Sequence, residues 1–336
     1  MGKKILLFVF SLILFNNIYS KTETGKIVYS SDNTESGYLQ IFTMNEDGSD
    51  KKQLTNLYTN CINPKWSPDG NKIIFETQDE KSVPSIFVIR DVETDSPSEP
   101  VYVTDGTNPI MLDNDETIIY NSDIDGVLTI YIKFFEEAEG YPISITGYSN
   151  QQIFTPDHRF MAFSTYLDDG KGIVLMDLDD TTDNNIWKIS FNTNTNMHPD
   201  ISPDGEILAY SSFNEQLNGT IYIYRDGKEF PLTKEFTSAD VPKFSPDMKQ
   251  MGFLVIDNTS VKLYTMNLDG SSKKYLQISK GNVGHFLWMD NSKIIYDAEN
   301  GDSYHIGVID VNSGESSILA SEGNCAYPDF YETNEE

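Results

Sequence analysis

The chain has 336 residues and carries 52 acidic against 24 basic side chains, a formal charge of −28. No basic cluster follows the N-terminus, which excludes a nucleic-acid binder, whose footprint is a basic face or stripe. The acidity instead suits a soluble, self-repelling surface.

Lys3 and Lys4 precede the apolar run Ile5–Phe15. That run is too short to cross a hydrocarbon core of ~30 Å, but it suits the apolar segment of a secretory signal. Residues 1–20 are therefore expected to be a signal peptide cleaved after Ser20. Residues 21–332 are expected to form one domain and 333–336 a disordered tail. No later apolar run is long enough to span a membrane. The mature chain is expected to be monomeric and periplasmic or secreted.

A seven-residue phrase then recurs along the chain. It reads GKIVYSS at Gly25–Ser31, and returns at Asn71–Thr77, Glu116–Ser122, Arg159–Thr165, Glu206–Ser212, Lys249–Val255 and Ser292–Ala298. Its central aromatics are Tyr29, Phe75, Tyr120, Phe163, Tyr210, Phe253 and Tyr296, between 43 and 47 residues apart. A period of ~40–45 residues is that of a four-stranded propeller blade. The phrase is apolar on both sides, as at Ile73, Ile74 and Phe75, which marks a strand buried on both faces.

Each phrase follows a turn, clearest at Trp66-Ser67-Pro68-Asp69-Gly70 and echoed at Ser202–Gly205 and Ser245–Asp247. Pro presets φ, Asp bonds its own backbone and Gly accepts positive φ. A third strand follows each phrase, for example Leu39–Met44 and Ser85–Asp91. A polar turn and a short outer strand close the unit. The pattern predicts an all-β fold: a seven-bladed β-propeller of four-stranded antiparallel blades. The last blade is closed by both termini, with Asn324–Phe330 as its inner strand. Six blades plus an irregular segment is the alternative.

Cys61 and Cys325 each stand five residues before an apolar anchor, Trp66 and Phe330. They would open the inner strands of neighbouring blades. In an exported protein this position permits a disulfide that locks the closure. The alternative is two buried thiols, because adjacent inner strands can lie farther apart than the ~4.4–6.8 Å between Cα atoms that a disulfide needs.

No nucleophile elbow, HExxH, Cys-x-x-Cys or phosphate-binding glycine loop occurs. The channel mouth is the one place where side chains converge by construction. Four residues before each turn stand Asn63, Asn108, Gln151, His198, Val241, Gly284 and Tyr327. One residue later stand Pro64, Pro109, Gln152, Pro199, Pro242, His285 and Pro328. Asn63, Asn108, Gln151, His198, His285 and Tyr327 are the candidate binding residues. The two imidazoles come from blades two apart, so ordinary polar lining of a wet channel is expected, with no metal and no cofactor.

The unit from Ile41 to Phe75, I-x-x-M-N-x-D-G-S followed by P-x-W-S-P-D-G-x-K-I-I-F, resembles the propeller repeat of the TolB family. In that family the propeller is periplasmic and non-catalytic, has six blades and follows an α/β domain. It binds the peptidoglycan-associated lipoprotein at its channel mouth. Here the count is seven and the first strand begins shortly after the expected cleavage point. The resemblance therefore implies an exported TolB-like propeller acting as a non-catalytic protein-interaction scaffold in the cell envelope. Its partner would be an envelope protein such as that lipoprotein. The alternatives are a metal-dependent carbohydrate lyase, by similarity to the seven-bladed oligogalacturonate lyases, and a glycan-binding propeller.

Overall fold

The computed structural model describes residues Gly25–Thr333, apart from 79–82, 95, 113–116, 125, 144–147, 156, 169 and 181–184. The expected signal peptide, and all of the expected tail except Thr333, lie outside the described residues. Seven four-stranded antiparallel sheets stand side by side in a ring, and no helix occurs among the described residues. Blade 1 is built from both ends of the chain. Cys325–Glu332 is its inner strand, followed outward by Gly25–Ser31, Gln40–Asn45 and Lys52–Gln53. The inner strands of blades 2 to 7 are Asn60–Trp66, Thr107–Met111, Asn150–Phe154, Thr195–Ile201, Ala239–Phe244 and Asn282–Trp288.

The two-sided burial of the phrase strand has a direct cause. Successive residues of a strand point to opposite faces, and here each face meets another blade. The central aromatics point toward the preceding blade: Phe75 packs with Val28 and Ile41 of blade 1, and Tyr120 with Ile74 and Val88 of blade 2. The residue before the aromatic points to the following blade, as Ile119 does toward Met161 and Phe163. The core is thus seven apolar layers, one in each seam between blades.

The turn at the foot of the inner strand repeats its bonds as well as its residues. Ser67 Oγ accepts the Lys72 amide at 2.9 Å and donates to Asp69 Oδ1 at 2.6 Å. Ser202 and Asp204 do the same, as do Ser245 and Asp247. Gly70, at φ +70, completes the turn.

Of the two readings for Cys61 and Cys325, the structure has the second: both thiols are free and buried. Cys61 faces the seam between blades 2 and 1, beside Val28 and Trp66. Cys325 faces the seam between blades 1 and 7, beside Ile295 and Ile306. Equivalent positions in successive blades point the same way around the ring. The sheet of blade 1 therefore separates the two sulfurs. Burial pushes the Cys61 thiol up to about 12.

Candidate functional site

Each inner strand is interrupted at the same point. Its register with the phrase strand slips between Ile62 and Lys65, Thr107 and Ile110, Asn150 and Ile153, and Met197 and Asp200. Blades 6, 7 and 1 repeat the slip. Such a β-bulge leaves residues outside the ladder and re-aims their side chains. The residues released are the ones aligned above. Asn63, Asn108, Gln151, His198, Val241 and Tyr327 all adopt left-handed backbone, with φ between +50 and +60. That conformation is uncommon outside Gly, Asn and Asp, so six bulges of one shape are held by their surroundings.

The restraint comes across the seams. Asn108 N donates to Glu76 Oε1 at 2.8 Å, His198 N to Gln151 Oε1 at 3.0 Å and Tyr327 N to Asp297 Oδ2 at 2.8 Å. Val241 N donates to Ser211 Oγ at 3.1 Å. Gln152 Nε2 reaches Asn108 O, Trp288 Nε1 reaches Lys243 O, and Lys65 and the Trp66 amide both bond Asp329. Every one of the seven seams is bridged in this way by a hydrogen bond from an inner strand.

The mouth residues group into two arcs. On one, the His285 and Tyr327 rings lie 4.9 Å apart. Asp297 accepts from His285 N, His285 Nδ1 and Tyr327 N. The arc continues through Asn63, whose Nδ2 donates to Glu76 Oε1 at 2.6 Å and lies 3.5 Å from Asn108 Oδ1. On the other, His198 Nδ1 meets Asp240 Oδ1 at 2.7 Å, and Phe213 stands edge-on to the imidazole. Gln151 accepts the His198 amide and the Ser164 hydroxyl. All six expected residues thus sit at the bulges, but His198 and His285 belong to different arcs. Val241 and Gly284 add no polar group.

Three carboxylates behind the mouth were not among the expected residues: Glu76, Asp240 and Asp297. Each is buried. Burial raises the Glu76 carboxyl, against the opposing hydrogen bonds from Asn63 and Asn108 and the charge of Lys65. Burial also works to raise Asp240, but bonds from His198, Ser211 and the Val241 amide hold it below the usual carboxylate range. Burial and then the charges of Asp297 and Glu76 raise the Tyr327 hydroxyl. The surface offered to a ligand is therefore a ring of amide, imidazole and phenol groups, with negative charge one layer behind.

Each histidine uses Nδ1 on a carboxylate, which leaves Nε2 as its remaining polar atom. Among the described residues no serine hydroxyl bonds either imidazole, so neither pair is completed into a nucleophilic triad. Nor is any group of three or more His, Cys, Asp or Glu placed to hold a metal, among the described residues.

A closed ring of seven four-stranded blades with a polar-lined channel mouth defines a seven-bladed β-propeller. No known family profile matches the chain. Two curated relatives share sequence with it, and both are dipeptidyl-peptidases 5. The Porphyromonas gingivalis protein is 24% identical over 300 residues, covering 82% of this chain and 42% of its own length. The Porphyromonas endodontalis protein is 26% identical over 268 residues, covering 69% of this chain and 36% of its own. The chain thus spans less than half the length of either relative. Among solved structures, the propeller domain of the Trilobed protease of Pyrococcus furiosus matches 90% of this chain and 94% of its own, with a TM-score of 0.62 and 18% identity. That domain is described as having an open velcro topology, whereas here Gly25–Ser31 pairs with Cys325–Glu332. A prolyl endopeptidase matches 93% of this chain and 51% of its own, with a TM-score of 0.64 and 10% identity. TolB from Acinetobacter baumannii matches 91% and 66%, with a TM-score of 0.57 and 15% identity. The TolB-like ring of seven is as expected from sequence. The expectation of a non-catalytic envelope scaffold, with its carbohydrate alternatives, is overturned by the relatives, which are peptidases.

Proposed function

We propose that this chain is a peptidase-type propeller whose channel mouth receives and orients a peptide for hydrolysis. The observation that carries this is the ring of Asn63, Asn108, Gln151, His198, His285 and Tyr327, each at the register slip of its inner strand. Outward-facing amide, imidazole and phenol groups suit the alternating donors and acceptors of a peptide backbone. The kinship with two dipeptidyl-peptidases supports peptide over sugar as the ligand. The chain works as a monomer outside the cytoplasm, a location that rests on Lys3, Lys4 and the apolar run Ile5–Phe15.

The test is binding of fluorescently labelled peptides, followed by anisotropy, to the wild-type chain and to a double variant, Asn108→Ala with His198→Ala. Measurable affinity that drops about tenfold or more in the variant, the loss of one or two hydrogen bonds, supports the assignment. Absence of binding by any peptide refutes it.

A further inference from the structure

Glu76 carries more than a seam bond. It occupies the phrase strand of blade 2, directly after Phe75 and facing blade 3, at a position filled elsewhere by Ser30, Asn121, Ser164, Ser211, Leu254 and, in blade 7, a second carboxylate, Asp297. Its residue is only 6% exposed. Both of its hydrogen bonds, from Asn63 Nδ2 and from Asn108 N, fall on Oε1. Among the described residues, Oε2 accepts nothing. Both donors are neutral. Lys65, whose charge acts on Glu76, is bonded to Asp329 at 3.2 Å. Oε2 is not sealed from solvent, and a largely desolvated carboxylate without a bonded cation gains from pairing with one.

We propose that Glu76 Oε2 is the anchor for a lysine or arginine side chain of the bound peptide, which makes basic residues the preferred cargo of the mouth. This rests on the peptide reading above. Three features fit a cation on a long stem. The carboxylate lies one layer behind Asn63 and Asn108, whose bonds it accepts, a depth that suits a charge on a long stem. The neighbouring His285–Tyr327 ring pair offers an apolar flank for methylenes and a π-face for a charge. The charge of −28 draws cationic chains toward the molecule. Asp297 is not an equivalent anchor, because its two oxygens already take three donors.

The experiment compares one blocked peptide, N-acetylated and C-amidated, carrying Lys, Arg, norleucine or citrulline at a single central position. A norleucine peptide with a free amino terminus is the fifth probe. Each is titrated against the purified wild-type chain and Glu76→Gln, in which the amide oxygen still accepts from Asn63 and Asn108. Wild type should bind the Lys and Arg peptides about 10- to 100-fold more tightly than their neutral counterparts, the range of a charge-assisted hydrogen bond. The variant should lose that preference while keeping its affinity for norleucine, which also shows that it is folded. Equal binding of basic and neutral peptides by wild type overturns the proposal, as does a preference that survives in the variant. Tight, Glu76-dependent binding of the free-amino peptide overturns it in favour of a terminal ammonium. If no probe binds at all, the failure lies with the peptide reading itself.

Discussion

Asp297 offers the most exacting check on how the mouth is held. Its carboxylate ties the bulge of blade 7 to the bulge of blade 1 through His285 N at 2.8 Å, His285 Nδ1 at 2.9 Å and Tyr327 N at 2.8 Å. The side chain is 1% exposed, while the His285 side chain is 60% exposed. In Asp297→Ala the imidazole can turn to water, while the two part-buried backbone N–H groups lose the acceptor they share. An orphaned buried donor costs about 1–3 kcal/mol, so the variant should lose about 2–6 kcal/mol. At about 2 °C per kcal/mol for a domain of this size, the melting point falls by roughly 4–12 °C. Asp297→Asn, which keeps one acceptor oxygen, should fall between the two. Thermal scans by far-ultraviolet circular dichroism and tryptophan fluorescence measure this directly. A drop in Asp297→Ala of less than about 2 °C, under ~1 kcal/mol, would refute the idea that the seam carboxylate holds the bulges.

Further outcomes follow from other residues. Glu76→Gln should stabilise the free chain at neutral pH. The folded-state carboxyl is raised by burial, so its favourable contribution is complete below the unfolded value of about 4.3 and is lost as pH rises through the folded one. The variant's melting-point advantage should therefore be near zero at pH ~4 and grow toward pH ~7; an advantage that shrinks with rising pH would contradict this. Both cysteines should resist a thiol reagent in the native chain and react fully in denaturant without reductant; failure to react there would reveal a disulfide. Gly281→Ala should destabilise by about 2 kcal/mol or more. Its φ is +86 and a Cβ would lie 2.1 Å from Glu299 O, so an unchanged urea midpoint would contradict this geometry.

Much of the fold could be read directly, because each blade repeats the same apolar strand and turn. Ile73, Ile74 and Phe75 announce two-sided burial, and Ser67–Gly70 announces the turn that precedes it. The bulges were hidden, since His198, Val241 and Tyr327 have no shared chemistry that marks a left-handed backbone. Glu76 and Asp297 leave a trace in the sequence: a carboxylate inside an otherwise apolar phrase needs a partner, and the partner lies in the next blade. Symmetry decides between the two readings of the cysteines. Matching positions in successive blades suggest nearness, yet the same match makes the two thiols point in parallel around the ring.

The pairing of Gly25–Ser31 with Cys325–Glu332 sets a timetable for synthesis. Ser31 leaves the ribosome 294 residues before its partner Cys325. At 5–20 residues per second that interval is about 15–60 s. Through this interval Gly25–Ser31 keeps an open edge, the kind of backbone that recruits strands from other molecules. Blades 2 to 7 can stack as they emerge, but the nascent protein stays an unclosed crescent until its last strand arrives. Ring closure therefore depends on that first strand staying unpaired with other chains until residues 325–332 are made.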